Sequence, residues 1–149
     1  MFGKMILFKK AKEQVVSYLQ NVEVSMLISL NAGDYIYKAN EKPGGVFLIH
    51  TGTVEILSNT GLLLGHLNVG ELFGEISELL SERRSVTARA KTACTLMLIE
   101  SATVEKKLDT CDAAIKGILR SLAVRLKETD KKYEKIWDEL QIYKSIKKK

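Results

Sequence analysis

The chain has 149 residues with a formal net charge of +5, 46% hydrophobic and 28% charged, with ten glycines and one proline. That length suits one folded domain with an appendage, and the composition excludes a disordered, collagenous or low-complexity chain. The positive charge invites a nucleic-acid or membrane reading, but residues 116–149 hold eleven Lys/Arg against five Asp/Glu, net +6, while residues 1–115 hold twelve against thirteen, net −1. The body is near neutral and the basic character belongs to the C-terminal segment.

Taken in chain order, Ala11, Val15, Val16 and Leu19 at helical spacing predict an amphipathic N-terminal helix over residues 1–21. The run Met5–Phe8 is too short for a signal-peptide core or a membrane span. From residue 22 to 100, short apolar stretches alternate with turn signals: Met26–Leu30, Tyr35–Tyr37, Val46–Ile49, Val54–Leu57, Leu62–Leu67, Val86–Ala90 and Thr95–Ile99, separated by glycine-rich turns. This texture predicts a mainly β domain, an antiparallel β-roll or jelly-roll barrel over 22–100. One break interrupts it: Gly70–Leu80 begins as a strand and passes through Gly74 into a single helical turn.

Beyond residue 100 the pattern is helical, with a short segment from Ser101 to Leu108 and a long helix from about residue 112 to Ile146. Ile115, Leu119, Leu122, Leu126, Thr129, Tyr133, Ile136, Leu140 and Tyr143 keep a four-three alternation, a heptad seam. Such a helix runs about 50 Å, whereas a barrel of this size is roughly 25–30 Å across. The overhang favours self-association through the C-terminal helix, a homodimer. Cys94 and Cys111 are too few for a disulfide scaffold, and His50 and His66 have no second ligand type at metal spacing. These features lead us to expect a reduced, cytoplasmic protein with no metal site and no transmembrane segment.

The chemistry concentrates in Phe73-Gly74-Glu75-Ile76-Ser77 and Arg84-Ser85-Val86. A glycine at the strand-to-helix corner allows close approach to the backbone. The first free amides of the short helix, at Ile76 and Ser77, suit an anion. Arg84 can grip phosphate oxygens with its planar fork, Ser85 adds a hydroxyl, and Glu75 would accept from a sugar hydroxyl while repelling phosphate. One cation, one hydroxyl, helix amides and one carboxylate describe a sugar-phosphate site. No nucleophile–base pair, metal set or Walker loop is present, so we expect a binding protein and not an enzyme.

These segments resemble the cyclic nucleotide-binding domain family. The likeness covers Gly33-Asp34, Phe47–Val54 and Gly70–Glu75, and is most specific in Arg84–Ala90, which closes the family's phosphate-binding cassette. Arg89–Cys94 is especially similar to bacterial catabolite activator protein, and Phe73–Ile76 with Arg83-Arg84 to the cyclic nucleotide-gated channels. The resemblance implies that Glu75 binds the ribose 2′-hydroxyl, Arg84 the cyclic phosphate and Ser85 phosphate or base, with the Ile76 and Ser77 amides completing the cradle. It further implies that Arg125 and Thr129, on a dimer helix, reach the ligand, Thr129 across the subunit interface. Asn40 departs from the family, standing where glycine is usual. The activator's helix-turn-helix DNA-binding domain has no counterpart, so sequence-specific DNA is not an expected partner. The resemblance thus implies a stand-alone sensor for cAMP, or cGMP, that signals through its C-terminal helix to an effector not named by the sequence. The alternative is a nucleotide-independent scaffold using the same barrel and helical dimer.

Overall fold

The computed structural model describes residues 26–147; the helix expected over 1–21 lies outside the described residues. Eight strands follow in order: β1 (Met26–Leu30), β2 (Tyr35–Tyr37), β3 (Val46–Thr51), β4 (Val54–Leu57), β5 (Leu63–Leu67), β6 (Leu72–Phe73), β7 (Thr87–Ala90) and β8 (Cys94–Ile99). They form two antiparallel four-stranded sheets, ordered β1-β8-β3-β6 and β2-β7-β4-β5. Each sheet keeps two edge strands, so the expected barrel is corrected to a pair of open sheets. Among the described residues no ladder joins an edge strand of one sheet to the other, which leaves the two sheets separate.

Alternation places one face of each strand inward. Ala88 and Ala90 of β7, with Cys94 and Leu96 of β8, join Tyr37, Phe47, Ile49, Val54 and Phe73 in a core drawn from both sheets. In β3 the run Val46–Ile49 is buried at every position, so both faces of this inner strand are covered. The chain passes from one sheet to the other at Gly52, whose φ is +85° and where a Cβ would lie 2.4 Å from the Ala93 carbonyl oxygen. No other residue fits that turn without moving β8.

Three helices complete the described residues: α1 (Glu75–Leu80), α2 (Ser101–Asp109) and α3 (Ala113–Lys147). Helices hold about 41% of these residues and strands 29%. The expectation of a mainly β protein is therefore corrected to a mixed one, because α3 alone contains 35 residues. The α2–α3 break is set by Asp112, whose Oδ1 accepts from the Ala114 amide at 2.8 Å, a side-chain N-cap. At 1.5 Å per residue α3 is about 52 Å long.

The helix turns a polar side toward the body. Arg120 Nε donates to the Leu79 carbonyl at 3.2 Å, Lys127 pairs with Glu82, and Glu134 Oε1 accepts from the Thr60 hydroxyl at 2.6 Å. Ala123 is its one buried residue among those described. The seam residues Ile115, Leu122, Leu126, Tyr133, Ile136, Leu140 and Tyr143 are exposed. No helix among the described residues is long and apolar enough to cross a membrane.

Candidate ligand-binding site

Strand β6 ends at Phe73, packed against Phe47 with ring centroids 5.3 Å apart. The chain then turns sharply through Gly74 in the left-handed conformation (φ +84°) and enters α1. A Cβ at Gly74 would lie 2.8 Å from Arg84 Nη1 and 3.3 Å from the Gly45 carbonyl oxygen. Glycine here thus serves two ends: it permits the corner and leaves room for the arginine.

Arg84 is 3% exposed. Its Nη1 donates to the Gly74 carbonyl and to Ser77 Oγ, and its Nη2 to the Gly45 carbonyl, each at 2.7 Å. Its guanidinium carbon stands 4.2 Å from the centre of the Tyr37 ring, a cation–π contact. The Nε–H is buried without an acceptor. Among the described residues no carboxylate is within ion-pair distance of Arg84. A buried cation held only by neutral acceptors is electrostatically incomplete. Burial lowers its pKa, opposed most by Tyr37 and less by Glu78, Glu41 and Glu75; burial likewise pushes the Tyr37 hydroxyl upward.

Arg84 and the Gly74 corner wall a cavity of about 160 Å³. Phe73, Gly74, Glu75, Ile76, Ser77, Arg84, Ser85 and Val86, all anticipated in the sequence, line it together. Three of its linings differ in chemistry. Phe73 and Tyr37 form an aromatic floor, α1 contributes its first turn, whose amides lack intrahelical partners, and Ile56, Leu67 and Val86 make an apolar wall. Glu75 is held above the usual carboxylate range mainly by burial, with a further push from Asp130 and opposition from its own backbone N–H and from Arg84. Ser77 does more than offer an amide: its hydroxyl donates to Gly74 O at 3.0 Å and accepts from Arg84.

The long helix reaches the cavity with Leu126 and Asp130, one turn apart. Arg125 and Thr129 do not line it; both are exposed, and the Thr129 hydroxyl donates to the Arg125 carbonyl at 2.8 Å. Asp130, whose pKa is raised by burial, was not anticipated. Its signal in the sequence was faint: it lies on the polar face marked by Arg120, Lys127 and Glu134 at seven-residue steps. Glu78 was missed too. Its Oε1 accepts from the Gly45 amide at 2.7 Å and from Ser101 Oγ at 2.9 Å, locking α1 to the starts of β3 and α2. No cluster of three metal-ligating side chains occurs among the described residues. His66 lies 3.0 Å from Lys91 Nζ, His50 is exposed, and Cys94 and Cys111 are free thiols.

Residues 27–111 match a family model described as the cyclic nucleotide-binding domain. Among solved structures, the cAMP-bound form of the EAL enzyme Bd1971 superposes with a TM-score of 0.66 at 23% identity, over 82% of this chain and 34% of that one. Its cGMP-bound form gives 0.65 at 24%, over 80% and 33%. The regulatory domain of Toxoplasma gondii PKA with cAMP gives 0.60 at 15%, over 78% and 51%. At these identities the structures show a shared fold, and this chain spans about a third of the EAL enzyme's chain. The special closeness to bacterial catabolite activator protein expected from Arg89–Cys94 narrows to likeness at the level of the family. No curated protein matches the sequence.

Proposed function

The chain belongs to the cyclic nucleotide-binding domain family, and from that premise we propose that its cavity binds a cyclic mononucleotide, cAMP in our reading, with cGMP as the alternative. The observation that carries this is Arg84, a buried guanidinium with three neutral acceptors and a free Nε–H, set beside Glu75 in one cavity. A phosphodiester anion supplies the missing charge and an acceptor for Nε. Glu75 accepts from a ribose hydroxyl, and the first turn of α1 offers amides to the phosphate. Ser85 and Val86 flank the phosphate and base, and Leu126 packs apolar surface on the purine. The EAL enzyme structures hold cAMP in one case and cGMP in another, which is the range of ligand we assign.

Asp130 sharpens the choice of purine. Its carboxylate accepts from donors on the base edge, one amino group on adenine or the adjacent N–H and amino pair on guanine. We read the protein as a sensor and not an enzyme: its residues bind and orient but supply no nucleophile. Ligand contact with Leu126 and Asp130 biases the position of α3, and the exposed seam passes that bias to a second copy. In this homodimer Arg125 and Thr129 face the partner, and the signal reaches an effector protein through the same helix. We place this action in the cytoplasm, where Cys94 and Cys111 stay reduced.

Isothermal titration of the intact protein is expected to give saturable cAMP binding at micromolar or lower Kd. Arg84→Lys keeps the charge but loses the fork, and should weaken binding more than tenfold. Binding unaffected by Arg84→Lys would place the nucleotide elsewhere; flat titrations with cAMP and cGMP would favour the scaffold reading. Asp130→Asn should shift the cAMP-to-cGMP affinity ratio, and an unchanged ratio would remove Asp130 from base recognition.

A further inference from the structure

Asn40 occupies a turn with φ +69°, a conformation that glycine adopts without strain. Its side chain is not idle there. Asn40 Nδ2 donates to Asn59 Oδ1 at 3.3 Å, joining the Lys38–Glu41 turn to the turn between β4 and β5. The Asn40 backbone faces the arginine pair: its amide donates to the Arg84 carbonyl at 2.9 Å and its carbonyl accepts from Arg83 Nη1 at 2.7 Å. The Arg84 amide in turn donates to the Glu41 carbonyl at 2.9 Å.

On the far side, the residue after Asn59 is Thr60, whose amide and hydroxyl both donate to Glu134 Oε1, at 3.2 and 2.6 Å. Buried Ser58 stiffens this turn, its Oγ lying 3.0 Å from Thr60 Oγ1 and accepting from the Leu62 amide at 3.1 Å. Bonding to Thr60 and Ser58 holds the Glu134 carboxyl below its ordinary range, so the contact is charge-assisted.

We infer that Asn40, Asn59, Thr60 and Glu134 form a polar relay that ties the Arg83–Arg84 turn to the long helix outside the ligand cavity. Asn40 and Glu134 are positioning residues: neither lines the cavity, yet one steadies the backbone of the arginine and the other the helix that carries Leu126 and Asp130. Nucleotide on Arg84 and docking of α3 are thereby coupled by a second route besides direct contact of helix and ligand. The consequence for binding rests on the cyclic-nucleotide reading of the cavity; the link itself does not.

The test uses the full chain with Asn40→Gly, Glu134→Ala and the double variant. Glycine suits the left-handed turn and alanine the helix, so folding is retained. Each single change should weaken cAMP binding roughly three- to tenfold, the scale of one hydrogen bond, chiefly through faster dissociation. The double variant should bind no worse than the weaker single, because a chain broken once is broken. Without nucleotide, Asn40→Gly should speed amide exchange across residues 130–140, as Glu134→Ala does. Wild-type exchange rates there in Asn40→Gly, or losses that multiply in the double variant, would overturn the relay. If the wild-type protein binds neither cAMP nor cGMP, the nucleotide reading fails while the exchange comparison still decides the relay.

Discussion

The corner at Gly74 and the long helix α3 are built on opposite plans. At the corner the polar groups are turned inward: Arg84 donates to Ser77 and to the carbonyls of Gly45 and Gly74, each at 2.7 Å, and only its Nε–H is left without an acceptor. On α3 the charged and polar residues Arg120, Lys127 and Glu134 face the body, while Leu122, Ile136, Leu140 and Tyr143 face outward and exposed. The first region leaves one buried donor, the Arg84 Nε–H, without an acceptor, the place we assign to a phosphodiester. The second leaves its apolar seam exposed, and the dimer we propose would cover it with the same seam of a second copy. Exposed ion pairs contribute at most about 1 kcal/mol each, so the helix sits on its body by contacts a ligand can reweight.

That contrast predicts where substitutions act. Arg84→Ala should have the largest effect, because it strands the buried Gly45 carbonyl and leaves the Gly74 carbonyl only the Ser77 hydroxyl. Unfolding free energy should fall by about 2–4 kcal/mol, and cAMP binding should drop more than a hundredfold by titration. Gly74→Ala comes next. It forces a Cβ to 2.8 Å from Arg84 Nη1 at positive φ, so we expect about 2 kcal/mol lost with at least a tenfold loss of affinity. If Gly74→Ala kept wild-type affinity, the tightness attributed to the corner would be wrong.

The helix should respond differently. Leu122→Glu touches exposed surface, so monomer stability should change by no more than about 0.5 kcal/mol. Sedimentation equilibrium should nevertheless show self-association weakened roughly thirtyfold, from partial burial lost on two copies. A protein that is monomeric at all concentrations would end the dimer reading and leave the corner untouched.

The smallest effect is on pH dependence. Burial raises the Glu75 pKa, so in the free protein a proton competes with the sugar hydroxyl. Nucleotide held through its ribose hydroxyl should favour the ionised carboxylate and lower that pKa, so binding at or below the raised pKa should release a proton. Affinity should be full above the raised pKa and decline as pH falls through it. Titrations in buffers of different ionisation enthalpy measure the release, which Glu75→Gln should abolish.

Much of this was legible in the sequence because the signals are local. Glycine turns and short apolar runs located the strands, and Gly74 announced the corner by falling between a strand and a helical turn. What Gly74 is for was not legible, since the answer is Arg84, ten residues on. Pairings such as Met26 with Leu98 depend on contacts that no window of sequence contains, so open sheets could not be told from a barrel. The heptad identified the apolar seam of α3 correctly as a stripe. The family resemblance pointed to Arg125 and Thr129, whereas within one chain the cavity is lined by Leu126, itself a seam position, and by Asp130 of the polar face. A periodic apolar pattern does not say which face meets the body when the body offers carbonyls, Glu82 and Thr60.

The central claim is that a phosphodiester completes Arg84, and the Arg84 Nε–H resonance reports on it directly. In a ¹H–¹⁵N spectrum of labelled protein, adding cAMP should move this signal strongly downfield as Nε gains an acceptor, with saturation matching the calorimetric Kd. Saturable cAMP binding that leaves the Arg84 Nε–H unmoved would contradict the account.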